Sequence, residues 1–362
     1  MPMAQTLTPE PVETGRNSAD SLLPALRAIP RQCYERSTAK GLALVARGVV
    51  LYAIAVALLF FVQIWWLVPA LWALAGLALA GLFVLGHDCA HGALFNSKRM
   101  NRTIGRALMV PTLHVYESWV LGHNRIHHGH TLRQGMDFVW HPKTVDEYRA
   151  MSRLQRLRHR IEWSAIGSGF YYGREVWWNK MMTFESPERY RVQIRKDKRF
   201  LAFWVALGFL ATVALGWVTG GPLDAVWLPI KLFVVPFFAF IWLIGFTVYV
   251  HHIAPDIKWW PRRKWTSFAG QVEGTTVLRI PRVANLYLNN IFVHVPHHVD
   301  VRIPCHALPE AAAAIKAEFP EAVHYDRLRI RDYVANTRAC KLYDFDEQRW
   351  LPYPGAAARA RA

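Results

Sequence analysis

Residues 48–91 read GVVLYAIAVALLFFVQIWWLVPALWALAGLALAGLFVLGHDCAH. From Gly48 to Gly86 there is no Asp, Glu, Lys, Arg or His, and Gln63 is the one larger polar side chain. One bilayer crossing takes about 20 apolar residues, so these 39 residues suffice for two. Pro69, just after Trp65-Trp66, suits the turn between them. Two further uncharged runs cover Phe200 to Leu223 and Leu232 to Val250. Buried core helices are the competing account, but each run exceeds the usual length of one. Tryptophans also gather near the run ends, as they do at a membrane interface. Trp65, Trp66, Trp217 and Trp227 mark one interface, and Trp259, Trp260 and Trp265 are expected near the other. The expected fold is an all-α integral membrane protein with four transmembrane helices in two hairpins, at about 45–67, 70–90, 200–220 and 226–252.

The chain has 362 residues and a formal net charge of +17. Residues 87–199 are dense in Lys and Arg, whereas the short loops near Pro69 and Gly220–Asp224 have none. The positive-inside rule then places the N-terminus, residues 87–199 and the C-terminal part in the cytosol, beneath the inner or plasma membrane if the cell is bacterial. Lys231 is the exception and is expected to snorkel to the outer interface. Basic charge beside apolar spans fits anionic headgroups. Zinc-finger spacing, an RNP-like motif and a dinucleotide-binding glycine pattern are all missing, so nucleic acid is not an expected partner. Cys33, Cys89, Cys305 and Cys340 have no paired spacing, which argues against a disulfide framework. Three segments are expected: a disordered or interfacial lead over 1–40, a main domain over 41–310 and a cytosolic extension over 311–362 with a disordered tail. A short interfacial helix is expected near Leu22–Ile29 in the lead, and a soluble helix over 308–318 at the start of the extension, across its boundary with the main domain.

Histidine is not spread evenly. His87-Asp88-Cys89-Ala90-His91, His123-Asn124-Arg125-Ile126-His127-His128 and His294-Val295-Pro296-His297-His298 hold eight of the 16 histidines. Each cluster follows an apolar hairpin, and His251-His252 ends the last run at the same cytosolic depth. His87 and His91 are four apart and face one way on a helix, as do His123 and His127. His128 points about 100° away from His127 and can serve a second ion or another side of one site. A single buried histidine is usually structural; three clusters at helical spacing point to metal. Eight or nine imidazoles exceed the needs of one ion, so two ions are expected in a cytosolic helical cap. With no recurring carboxylate in the clusters the site is nitrogen-rich, and iron with open positions for oxygen fits it.

The three clusters resemble the boxes of the membrane fatty acid desaturases, H-x(3–4)-H, H-x(2–3)-HH and H/Q-x(2–3)-HH, in the same order. The likeness spans about 45–310 and is closest to the acyl-lipid ω-6/Δ12 branch, which uses HDCAH and HVPHH. His251-His252-Ile253-Ala254-Pro255 is similar to that branch's HHTAP, and Tyr116-Glu117-Ser118-Trp119 to its YEPW. Two departures stand out: box two has three residues between His123 and His127 where that branch usually has two, and Thr131-Leu132 stands where Thr-Asn is common. The resemblance implies a non-heme diiron centre held by His87, His91, His123, His127, His128, His252, His294, His297 and His298. Asn290, Asp137 and Asp88 are candidates for water-mediated or supporting contacts, and His251 is the alternative to His252. His114, His130, His141, His159, His306 and His324 are assigned to the surface or to support.

The resemblance further implies an enzyme of lipid metabolism: an oxidoreductase that uses O2 to place a double bond in a fatty acyl chain, most simply that of a membrane lipid. No cytochrome b5-like HPGG motif is present, so electrons come from an external donor, ferredoxin-like or another reductase chain. A hydroxylase or ketolase of fatty acyl, sphingolipid or carotenoid substrates shares these boxes and stays open. A metal transporter is the remaining rival, although transporters place ligands near the bilayer midplane, and these histidines sit at the ends of the runs.

Overall fold

The computed structural model describes residues 21–354. Residues 1–20 of the lead and 355–362 of the tail, both read as disordered, lie outside the described residues. A short helix α1 (Leu23–Ala28) lies where the interfacial helix is expected. The first apolar run then splits into α2 (Thr38–Phe61) and α3 (Val68–Ala90). The Ser37 side chain caps α2 by accepting from the Lys40 backbone N–H, and Pro69 opens α3 where a missing N–H costs nothing. Next come α4 (Lys98–Met109) and α5 (Tyr116–Trp119), which runs without interruption into π-helical turns over Val120–His127. They are followed by α6 (Val145–Ala150), α7 (Arg153–Glu162) and α8 (Ser168–Tyr171), the last continuing as π-helix to Met182.

The second apolar half forms α9 (Glu188–Pro229), a π-helical turn at Ile230–Val234 and α10 (Val235–His252). By length and composition, three helical runs can cross a membrane: α2, α3 and the stretch Glu188–His252. The third and fourth expected spans thus fall in one run, which begins well before residue 200. It is broken at Gly221, whose φ of 75° and ψ of −156° are not helical. A side chain at Gly216 would collide with the Asp224 carbonyl, so the chain doubles back there. Trp65, Val218 and Leu223 are more than 80% exposed, as are many other apolar side chains on these helices to a lesser degree. Apolar surface of that extent is stable under lipid. Three apolar helices with this surface mark a membrane protein.

Helix α3 is the hub, packed by α2, α4 and α10. Close approach needs small residues: a Cβ at Gly76 would lie 2.7 Å from that of Ala239 on α10. Lys231 does not snorkel. It is buried, and its ammonium donates to the Val62 carbonyl at 3.0 Å. Helix α2 ends at Phe61 and leaves carbonyls without partners; the ammonium supplies one.

Beyond α10 the chain is not wholly helical. Strand β1 (Thr276–Arg279) precedes α11 (Arg282–Leu288), α12 (His294–Val299) and α13 (Leu308–Glu318). Strand β2 (His324–Arg327), α14 (Ile330–Ala339), β3 (Leu342–Asp344) and β4 (Arg349–Leu351) complete the described chain. β1 pairs in parallel with β2, Thr276 opposite His324, and β3 pairs antiparallel with β4. The expected all-α architecture is corrected to this extent, because the extended stretch after Gly274 finds a partner only on folding. Trp259 is corrected too. It is fully buried rather than interfacial, with its backbone N–H donated to the Tyr343 hydroxyl at 2.9 Å.

Candidate metal centre

The ends of α3 and α10, the π-helical turns after α5, and α12 converge on one buried point. All nine expected histidines meet there, together with His251. The ligand nitrogens of His87, His91, His123, His128 and His297 lie within 4.8 Å of one another. Those of His127, His252 and His298 form a second group, and His251, His252 and His294 an overlapping third. His294 Nε2 is 3.0 Å from His298 Nε2, which ties the last two groups together. The two halves adjoin through His128 and His298, whose rings stack at 4.2 Å.

Box two departs from its α-helical expectation, and the departure accounts for its unusual spacing. The His128 N–H bonds the His123 carbonyl five residues back, the signature of a π-helical turn. A π-turn absorbs one extra residue. His123 and His128 therefore face the same half, Nε2 to Nε2 at 3.1 Å, while His127 turns to the other. The extra residue is thus taken up without turning His128 away from His123.

The surrounding hydrogen bonds decide where the lone pairs point. His127 Nδ1 donates to both carboxylate oxygens of Asp137 at 3.1 Å. Asp137 is itself fixed by the backbone N–H groups of Leu132 and Val139. His252 Nδ1 donates to the Gly274 carbonyl at 3.0 Å. Gln271 gives its amide N–H to the His128 carbonyl, so its oxygen faces His298 Nδ1 at 2.8 Å and requires a proton there. The Nε2 lone pairs of His127, His252 and His298 therefore all point into one small volume. Burial holds His123, His128, His294, His297 and His298 well below the usual histidine range, and the neighbouring imidazoles add to this. Nitrogen lone pairs aimed at one another, as those of His127, His252 and His298 are, repel unless a cation lies between them, and the Nε2 atoms of His252 and His297 are buried with no partner among the described residues. The donor set fits metal.

Asp88 serves from outside: its carboxylate accepts the Cys305 N–H at 2.8 Å and stands 3.8 Å from His87 Nδ1. Asn290 is not brought into the cluster, because its amide is engaged with Asn285 and the Cys305 carbonyl. His251 stacks on His294 at 3.8 Å and leans on Phe292. His130, His141, His306 and His324 are half-buried, outside the cluster. His114 and His159 are not at the surface. The Tyr172 hydroxyl donates to His114 Nε2 at 3.0 Å, and burial brings that imidazole down to about 3. His159 bonds the Tyr353 hydroxyl and is brought down to about 4. Sequence reasoning missed Gln271, Thr131 and the Gly274 carbonyl as supports. Thr131 lies three residues past His128, a weak clue; nothing local marks the other two.

Beneath the imidazoles lies a narrow cavity of about 40 Å³. Phe83, Trp119, Tyr172, Val176, Ile244 and Val248 give it apolar walls, while histidines of both halves face it from one side.

Membrane-length apolar helices ending in a buried imidazole cluster fit a helical membrane protein built around a histidine-rich metal site. The chain belongs to the fatty acid desaturase family, whose profile matches residues 64–329. It is 29% identical over 351 residues to the sn-1 oleoyl-lipid 12-desaturase of Synechocystis sp., covering 95% of this chain and 94% of that one. It is 30% identical to the sn-1 oleoyl-lipid 12-desaturase of Picosynechococcus sp., over 91% of this chain and 95% of that one. The chloroplastic omega-6 fatty acid desaturase of Arabidopsis thaliana is 28% identical, over 90% of this chain and 70% of that one.

Proposed function

We propose that the protein is a membrane-bound acyl-lipid desaturase that introduces a double bond into a fatty acyl chain with O2 and electrons from an external donor. The observation that carries this reading is the convergence of buried imidazoles over an apolar cavity. An unactivated methylene has no acidic proton, so acid–base groups alone do not open it. Two bound irons would supply the O2-dependent removal of two hydrogens, with both oxygen atoms leaving as water.

The chain's own residues do the rest. His87, His91, His123, His128 and His297 would hold one ion, and His127, His252, His294 and His298 the other. Asp137, Gln271 and the Gly274 carbonyl fix the tautomers of His127, His298 and His252. Phe83, Trp119, Val176 and Ile244 exclude water and align the acyl methylenes beneath the histidines. Residues 41–310 would form the desaturase domain and 311–362 a cytosolic extension, whose described part packs on it through contacts such as Tyr333 to the Ala165 carbonyl. The reversal at Gly221 supports four crossings in two hairpins, with both termini and all three boxes on the cytosolic face.

Lipid profiling of a host that expresses the chain tests the reading. The intact protein should yield a new acyl chain lacking two hydrogens, and His297→Ala should not. A product that gains one oxygen would instead favour the hydroxylase reading.

A further inference from the structure

The segment Trp260-Pro261-Arg262-Arg263-Lys264-Trp265 folds over the loop that follows box two. The Trp260 N–H donates to the Leu132 carbonyl and the Gln134 N–H to the Trp260 carbonyl, both at 2.9 Å. The Trp265 indole N–H donates to the Thr131 carbonyl at 2.8 Å. The hydroxyl of that same Thr131 lies 3.2 Å from His298 Nδ1. One residue therefore separates a half-buried indole from an imidazole of the metal centre. Arg133 stacks over the Trp265 ring at 5.2 Å, and Arg262, Arg263 and Lys264 are exposed beside it.

None of these four cations forms a salt bridge among the described residues. Nor does the patch face lipid: from residue 243 to 282 no large apolar side chain is exposed. The basic helix α7 differs, because it exposes Leu154, Leu157 and Ile161 among its arginines, as a helix against headgroups does. Unpaired positive charge without apolar surface suits an acidic protein arriving from water.

We propose that Arg133, Arg262, Arg263, Lys264 and Trp265 form the docking surface for a small acidic one-electron carrier protein, whose electrons enter the metal centre through Trp265, Thr131 and His298. The proposal rests on the desaturase reading. The balance is –CH2–CH2– plus O2, two electrons and two protons, giving –CH=CH– and two waters. The carrier is oxidised by one electron at each of two visits, no bond forms between the proteins, and Trp265 is a conduit that is not consumed.

The test uses the full chain in phosphatidylcholine nanodiscs and an acidic plant-type [2Fe–2S] ferredoxin as probe. Arg263→Glu with Lys264→Glu should raise the ferredoxin Kd about tenfold or more and flatten its dependence on salt. Lys98→Glu with Arg99→Glu on α4 should leave the Kd unchanged. Equal Kd values for the parent and the 263/264 variant would overturn the proposal, as would equal losses in both variants, which would reflect net charge alone. At saturating reduced ferredoxin, Trp265→Phe should slow its re-oxidation several-fold, and an unchanged rate would overturn the route. Binding is read without turnover. A chain that binds ferredoxin at this patch yet makes no double bond supports the docking surface and overturns the desaturase reading. A chain that desaturates while both charge variants bind like the parent overturns the surface alone.

Discussion

Asp137 binds no ion in the proposed centre, yet it determines what His127 can do. Its carboxylate takes the Nδ1 proton and leaves the Nε2 lone pair facing inward. Asp137→Asn keeps one acceptor but removes the charge that makes the imidazole a strong donor. Iron affinity should fall by about 10–100-fold, measured as iron retained against a graded chelator; unchanged retention would remove Asp137 from this role. His251 and His252 offer a sharper contrast. Both are buried, but His252 alone has its Nδ1 proton tied to a backbone carbonyl with Nε2 left to the two groups it joins, whereas His251 stacks on His294. His252→Ala should abolish desaturation and release iron, while His251→Ala should retain most of both. The opposite result would transfer the ninth ligand position to His251. If neither change matters, the site holds eight histidines and the end of α10 contributes packing alone.

At the scale of the element, the π-helical turns after α5 set the geometry of box two. They convert an i, i+4, i+5 spacing into the facing pattern of i, i+3, i+4. Deleting the exposed Arg125 should let the turn close as ordinary α-helix and keep His123 and His128 on one side, so iron content should survive. Inserting an alanine after Arg125 should rotate His127 and His128 out of register and cost the iron, read by metal analysis of the purified protein. Loss of iron in the deletion with retention in the insertion would show that the π-turn does not compensate for spacing. The helical periodicity of 3.6 gives no warning of this turn, because the distinction lies in hydrogen bonds five residues apart that tertiary packing selects.

For the whole molecule, Gly221 is the position on which the topology turns. Its φ of 75° lies in the region that favours glycine, and it allows the long helical run to fold back on itself. A cysteine placed there in a cysteine-free background should react with an impermeant maleimide from outside the cell, whereas one placed at Lys264 should react only after permeabilisation. Labelling of both from the same side would rule out two hairpins.

The apolar runs and the three histidine boxes were legible in the sequence because each is a local pattern, an uncharged length or a spacing, and Asp137 was legible through the resemblance those boxes carry. That Lys231 caps α2 and that Trp259 is buried under Tyr343 were not, since each depends on contacts between residues far apart in the chain. The same holds for Asn290, one turn before His294 in sequence, whose amide folding commits to Asn285 and Cys305. Residue order alone determined that histidines stand at the ends of the apolar runs, because that is a matter of position along the chain. Their division into a group of five and its neighbour was decided by tertiary structure, for a lone pair's direction is set by what holds the opposite nitrogen, and Gln271 and Gly274 reach those nitrogens only in the folded chain.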